Sequence, residues 1–227
     1  IEKEVFLNLE IFFGDIRDYK LVEEATKGVD IAFHLAALIS IPHSYHAPES
    51  YLDTNIKGSL NIFNAARKNE LPKIIHTSTS ETYGTAQYVP IDEDHPISSQ
   101  SPYAASKVSA DQFALSYWRS FSTPITILRP FNTYGPRQSI RALIPTIITQ
   151  ILQKKNSIKL GNLNPTRDFN FVKDTCQAFY EVSKLHSYHG EVINAASNFE
   201  ISVLKTVELI KEIMNSDIII ETDESKI

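Results

Sequence analysis

Apolar runs and helical patterns alternate along the first half of the chain. Leu9-Glu10-Ile11-Phe12-Phe13 reads as a strand that stops at Gly14-Asp15, and Leu21, Val22 and Ala25 mark a short helix behind it. Val29 to Leu35 is a second strand. A long helix starts near Pro48 and Glu49 and sets Leu52, Ile56, Leu60 and Phe63 at roughly helical spacing. Lys73 to Thr77 is a third strand, Tyr103 to Phe121 a second long helix, and Ile125 to Arg129 a fourth strand closed by Pro130. Strand and helix in alternation predict an α/β fold with a parallel sheet. Each strand is nearly unbroken in apolar or β-branched residues, as expected of a sheet covered by helices on both faces.

The pattern changes after Pro136. A helix over Ala142 to Leu152, a turn cluster from Gly161 to Pro165, a short Phe169-Asn170-Phe171 strand, and helices near Asp174 to Leu185 and Ser202 to Met214 follow. They predict a smaller lobe interwoven with the sheet, so the chain divides into 1–136 and 137–227.

Composition narrows the function classes. The chain has 227 residues, 42% hydrophobic and 22% charged, enough to bury a substantial core. A net charge of −5, with no basic cluster beyond Arg67-Lys68 or Lys154-Lys155, leaves no electrostatic footprint for nucleic acid or anionic lipid. Neither partner is expected. A single cysteine, Cys176, excludes an intrachain disulfide framework and fits a reducing cytoplasm. No apolar run approaches the ~18 residues of a membrane span. Ile1-Glu2-Lys3-Glu4 has neither an initiator methionine nor the features of a signal peptide, and truncation at this end is expected.

Ligands of open parallel sheets sit beyond the carboxyl ends of the strands. Those ends carry Asp15, Ala36, Ala37, Thr77 to Thr79, Phe131 and Asn132. Tyr103 and Lys107 lie one helical turn apart on one face, which brings an ammonium toward a phenol. Ionising a phenol of pKa ~10 at pH 7 costs ~4 kcal/mol. One positive charge ~5 Å away at an effective dielectric of ~20 supplies ~3 kcal/mol. Lysine alone nearly suffices, and the phenol is expected to have a depressed pKa. A second Tyr-x3-Lys pair, Tyr180 and Lys184, reads as an ordinary helix-surface pair. The run Thr77-Ser78-Thr79-Ser80-Glu81 adds hydroxyls and a carboxylate to the third strand's end. His43 and His46 have i,i+3 spacing, but a loop after the second strand accounts for them and no metal is expected.

Five segments together resemble the extended short-chain dehydrogenase/reductases, the NAD-dependent epimerase/dehydratase family. They are Gly14-Asp15-Ile16-Arg17-Asp18, His34-Leu35-Ala36-Ala37, Asn55 to Leu60, Ser78 to Gly84 with Tyr103 and Lys107, and Arg129 to Arg137; Thr166-Arg167-Asp168-Phe169 extends the likeness into the lobe. The resemblance implies a Rossmann-type doubly wound sheet with a smaller α/β substrate lobe, truncated at both ends. The family opens on a strand, a Gly-rich turn and a helix that hold the pyrophosphate, whereas the seven glycines here stand apart. The ending Glu221 to Ile227 stops where the family continues into its sugar-binding lobe. The residue that selects NAD over NADP is not in this sequence.

Roles implied by the resemblance attach residue by residue. Asp15 and Ile16 would flank the adenine of NAD, Ala36 and Ala37 would pass close to the pyrophosphate and ribose, and Asn55 would sit behind the nicotinamide. Lys107 would hold the ribose hydroxyls, and Leu35, Thr77, Ser78, Tyr103 and Phe131 complete the cofactor set. Tyr103 would be the acid/base, and Thr79 would bond the sugar's C4 oxygen. Asn132 and Arg167 would hold the nucleotide diphosphate, and Ser44 and Arg137 join them on the substrate side. Glu81 separates the subclasses, because a 4-epimerase needs no further base whereas a 4,6-dehydratase needs a carboxylate for the C5 proton. Thr79-Ser80-Glu81 matches that need, although many dehydratases place Asp where Ser80 stands. The wider text resembles dehydratases acting on UDP- or GDP-N-acetylglucosamine in legionaminic acid and related cell-surface sugar pathways. A 4-epimerase, a UDP-glucuronate decarboxylase and a non-catalytic nucleotide-binding fragment are the alternatives. A homodimer through the helices containing Leu60 and Leu115 is expected.

Overall fold

In the computed structural model, which describes residues 8–153, 157–185 and 187–222, four strands form the central sheet. These are β1 (Ala32–His34), β2 (Ile74–Thr77), β3 (Ile125–Pro130) and β7 (Val192–Ala195), in the order β1-β2-β3-β7. β1 runs parallel to β2 and β2 parallel to β3, with His34 opposite His76 and His76 opposite Ile127. Ile74, Ile75 and Ile125 to Leu128 are buried, as runs of apolar and β-branched residues require in a sheet covered on both faces. The Lys154-Lys155 pair and the chain's terminal segments, 1–7 and 223–227, lie outside the described residues.

Helices α1 (Tyr19–Ala25), α2 (Ile41–His46), α3 (Pro48–Tyr51), α4 (Gly58–Lys68) and α5 (Pro102–Phe121) accompany these strands. Local chemistry sets their starts. Asp18 caps α1 by accepting from the Lys20 and Leu21 amides, Ser40 caps α2, and Ser101 caps α5 by accepting from the Ala104 amide at 3.1 Å, with Pro102 in the first turn. Ser122 ends α5 in a left-handed conformation, φ 55°. The core under this sheet is Val22, Ile62, Phe63, Ala65, Ala66, Leu71, Ile74, Ala114, Ile125 and Ile127.

Three sequence expectations are corrected. Leu9 to Phe13 forms no strand, because no strand among the described residues pairs with it; Phe13 is 90% exposed. The long helix expected from Pro48 is broken by a π-helical turn, Leu52–Lys57, between α3 and α4. Asn55 lies in that turn and bonds out of the helix, which suits the local widening. His43 and His46 stand on α2 rather than in a loop, with the His43 ring 6.1 Å from that of Tyr51. Tyr180 and Lys184 are a surface pair as expected, the ammonium lying over the ring at 3.8 Å.

The chain resolves into two units. Residues up to Arg129, with Phe179–Asn194, make the first, and Pro130–Ala178 with Ala195 onward the second. The return is made by α7 (Val172–Lys184) and the segment leading into β7, where the Gly190 amide donates to Ile125 O at 2.7 Å. In the second unit, β4 (Asn132–Tyr134), β6 (Thr166–Phe171) and β8 (Glu200–Ser202) form a small sheet, parallel between β4 and β6 and antiparallel between β6 and β8. β5 (Ser157–Leu160) pairs with β9 (Ile219–Thr222) beside α6 (Leu143–Leu152) and α8 (Val203–Ile213). Its core gathers Ile147, Ile158, Leu160 and Val207.

Candidate active site

The end of β2 and the first turns of α5 build the site within the first unit. Tyr103 and Lys107 follow Pro102 on the buried face of α5, where they are 7% and 3% exposed. Beyond β2 the chain passes through Thr79 into a 3-10 turn, Ser80–Thr82, which Thr79 caps by accepting from the Glu81 amide. The Thr79 hydroxyl bonds the Tyr103 side chain, and the Glu81 carboxylate is near enough to act on it electrostatically. Thr79, Glu81, Tyr103 and Lys107 are therefore brought together. Ser80, half-buried, opens the same turn.

Electrostatics here depart from the sequence expectation. Burial pushes the Tyr103 phenol up to about 12, against the Thr79 hydrogen bond that favours the phenolate, and the Glu81 and Asp111 charges add to the rise. The Lys107 Nζ donates to Thr77 O at 2.5 Å. Burial draws the Lys107 ammonium down to about 8, with Asp111 opposing. The expected depressed phenol is thus reversed in the protein without ligands.

A clasp holds this face. Asn55 Nδ2 donates to Leu38 O at 2.9 Å and to Ser106 Oγ at 2.9 Å, while its Oδ1 accepts from the Leu38 amide at 2.8 Å. Ser106 in turn donates to Tyr103 O. Asn55 thus ties the loop after β1 to the helix of Tyr103. Tyr51, its ring edge-on to Tyr103 at 6.3 Å, anchors its hydroxyl on Ser40 O. Ser44 is fully buried and spends its hydroxyl on Ile41 O.

Other expected ligands fall as follows. Leu35 and Ala36 lie exposed past β1, with Ala37 half-buried behind them. Asp15 is exposed and clamped by Arg17, whose backbone amide, Nε and Nη2 all donate to it; that ion pair holds its carboxyl down to about 2. Ile16 meets Gly58, where an added Cβ would come within 2.8 Å of it. Ser78 turns its hydroxyl inward to Asp111. Phe131, Asn132, Arg137 and Arg167 belong to the second unit. There Asn132 on β4 pairs with Phe169 on β6, the strand that carries exposed Arg167, and Arg137 takes a left-handed φ of 68°. No cluster among the described residues could hold a metal ion.

Sequence reading missed the buried set beneath the site: Asp111, Arg129 and His76. Asp111 accepts from Arg129 Nε at 3.1 Å and Nη2 at 2.9 Å, and Arg129 Nη1 donates to the Tyr83 hydroxyl. Its signal was the four-residue step from Lys107 to Asp111 on one helix face.

Comparison with known proteins gives this geometry a family. A bovine (Bos taurus) dTDP-D-glucose 4,6-dehydratase is 34% identical over 212 residues, covering 90% of this chain and 59% of the relative. The UDP-N-acetylglucosamine 4-epimerase of Methanobrevibacter ruminantium M1, solved with UDP-N-acetylmuramic acid, superposes with a TM-score of 0.89 at 34% identity, covering 96% of this chain and 70% of that one. The dTDP-glucose 4,6-dehydratase of Streptomyces venezuelae, solved with NAD bound, has a TM-score of 0.87 at 27% identity, covering 94% of this chain and 67% of that one. The chain thus spans about three-fifths of the length of the curated relatives it matches, 59% for the bovine protein. The sequence model of the GDP-mannose 4,6-dehydratase family matches residues 2–226, and with four catalytic-type side chains converging at the end of β2, the chain belongs to that family, within the extended short-chain dehydrogenase/reductases of the NAD-dependent epimerase/dehydratase type.

Proposed function

We propose that the full-length protein is an NAD-dependent nucleotide-sugar 4,6-dehydratase. The observation that carries this reading is the position of Glu81, two residues past Thr79 in the 3-10 turn and within electrostatic reach of Tyr103. An acid/base pair that only oxidises and reduces C4 has no use for a second anion there, because Glu81 raises the cost of forming the phenolate.

The residues present suit a dinucleotide. Of the three N–H donors on Lys107, the structure spends one on Thr77 O, and Ala36 and Ala37 leave only methyl groups beside the exposed chain past β1. Lys107 would hold the nicotinamide ribose, with Leu35 to Ala37 beside the pyrophosphate and Asp15 with Ile16 at the adenine. NAD bound there would take the hydride from the sugar's C4 and supply it again at C6. Thr79 holds the C4 oxygen, and Tyr103 takes the C4 hydroxyl proton. That transfer needs positive charge beside the phenol, since burial alone disfavours it. Oxidation at C4 acidifies the C5 proton; Glu81 removes it and passes it to the C6 hydroxyl, which leaves as water with Ser80 as the adjacent hydrogen-bond donor, and as hydride is supplied at C6 a proton returns to C5, balancing the one that Tyr103 took from the C4 hydroxyl. Asn132, Arg137 and Arg167 are proposed for the nucleotide diphosphate, with Ser44 packed behind the sugar side.

For the substrate we propose a UDP- or GDP-linked N-acetylglucosamine, with a place in cell-surface polysaccharide synthesis in the cytoplasm. Support for the acetamido sugar is the M. ruminantium relative, whose name specifies UDP-N-acetylglucosamine. The same relative favours a second reading, 4-epimerisation, as does the serine at position 80. Incubating the NAD-loaded full-length protein with UDP- and GDP-N-acetylglucosamine and dTDP-glucose separates them. Loss of the mass of water marks the dehydratase; an unchanged mass with inversion at C4 replaces this reading by the epimerase.

A further inference from the structure

Tyr103, Lys107 and Asp111 fall on successive turns of α5 and share its buried face. Asp111 is fully buried, and its carboxylate gathers partners from two strands. From β2 and its end, His76 Nε2 stands 3.4 Å from Oδ1, and Ser78 Oγ, just past the strand, donates to Oδ2 at 2.7 Å. From β3, the Arg129 guanidinium donates twice to Oδ2. Ser78 lies between Thr77, whose carbonyl takes the Lys107 ammonium, and Thr79, whose hydroxyl meets Tyr103. One carboxylate therefore grips the single residue whose two neighbours touch the two catalytic side chains.

We propose that Asp111 is a positioning residue for the acid/base pair: through Ser78 it fixes the end of β2 under Tyr103 and Lys107, and its charge keeps Lys107 an ammonium in a dry site. This inference rests on the reading of Tyr103 and Lys107 given above.

The surrounding charges allow this role. Burial lowers the His76 pKa and Lys107 and Arg129 add to the fall, against the hydrogen bond and charge of Asp111, which favour its protonation; His34, 5.3 Å away ring to ring, is lowered by burial in the same way. Arg129 is half spent on Tyr83, whose hydroxyl it meets at 2.9 Å and whose ring it overlies at 4.9 Å. Asp111 is the anion that opposes the fall in the Lys107 pKa, and it also adds to the rise at Tyr103. Glu81 is the other anion acting on the phenol.

Asp111→Asn keeps the size and an acceptor for Ser78 but removes the charge. Lys107 then loses its proton at lower pH, and Tyr103, relieved of an anion, also ionises at lower pH. Both limbs of the pH profile of kcat/KM are expected to move acidward by about one pH unit. Arg129→Gln removes the opposing cation, and both limbs should move the other way. A role confined to stability would lower activity without moving either limb. Should either single variant fail to fold, the double variant Asp111→Asn/Arg129→Gln, with two neutral amides in place of the ion pair, should still shift acidward by a smaller amount; an unmoved profile there overturns the proposal.

A second readout does not need turnover. Phenolate absorbance of Tyr103, taken as the difference between the NAD-loaded full-length protein and its Tyr103→Phe counterpart, should shift acidward in Asp111→Asn. If wild-type protein converts no nucleotide sugar, the functional reading fails while this titration still tests Asp111. If the variant's Tyr103 titrates where the wild type's does, Asp111 has no such role.

Discussion

Lys107 is a cation placed where solvent cannot reach it, and the protein is less stable for it. Burial lowers its pKa from 10.5 to about 8, so between those values the unfolded chain binds more protons than the folded one. Stability therefore rises with pH through that window. Integrating the shift, the charged lysine costs about 3 kcal/mol at pH 7 and about 1 kcal/mol at pH 10. Replacing it by methionine keeps the length and apolar stem and removes the charge. The hydrogen bond to Thr77 O is lost as well, at about 1 kcal/mol, a term that depends little on pH.

Lys107→Met is accordingly expected to be more stable than wild type by about 2 kcal/mol at pH 7 and about equal to it at pH 10. Urea unfolding of the two full-length proteins without nucleotide, at several pH values between 7 and 10, measures this, provided the slopes agree. Nucleotide must be left out because its binding would add a stabilisation of its own. Groups that Lys107 does not act on cancel in the difference; His34 and His76, whose protonation Lys107 opposes, are neutral in the wild type over this range. A stability difference that stays flat with pH, or a variant less stable at pH 7, would refute the desolvation account of Lys107. The variant should have lost its activity throughout, which makes the site's stability cost and its function the same charge.

Glu81→Gln is expected to leave C4 oxidation, seen as reduction of bound NAD on adding substrate, and to lower water loss by at least about a hundredfold, the scale of a missing general base; equal loss of both steps counts against its role. At Gly58 a Cβ would meet Ile16 Cγ2 at 2.8 Å, so Gly58→Ala should destabilise by about 1 to 3 kcal/mol in urea unfolding, and a neutral result would show that Ile16 yields without strain. The proposed homodimer through α4 and α5, where Phe113 and Phe121 stand exposed, should give twice the monomer mass in light scattering of the full-length protein, and a monomer at micromolar concentration would end it.

Legibility from sequence followed the range over which each interaction acts. Short-range signals read well: the Ser101-Pro102 start of α5, the apolar and β-branched runs of β2 and β3, and the one-turn step from Tyr103 to Lys107 all depend on neighbours within a few residues. Strand identity did not read for Leu9 to Phe13, because a strand exists only with a partner and none among the described residues supplies one. Asn55 illustrates the same limit inside a helix. Its side chain reaches Leu38, seventeen positions back, and Ser106, fifty-one ahead, and no helical periodicity carries that information.

The chemistry of the site was misjudged for a related reason. Placing an ammonium near a phenol by helix spacing treats the pair as if only the two charges mattered, and so predicts a depressed phenol pKa. In the structure Lys107 turns to Thr77 O, a carbonyl at the end of β2, and desolvation dominates both groups, drawing the phenol up and the ammonium down. Two buried groups shifted toward their neutral forms are well placed to respond to added charge. In so dry a niche each further charge acts through a low effective dielectric, so one cation beside the phenol moves it further than the same cation would in water. On the proposed function the cationic nicotinamide ring of bound NAD would supply such a charge, and Asp111, buried beneath the site, opposes the loss of the Lys107 proton.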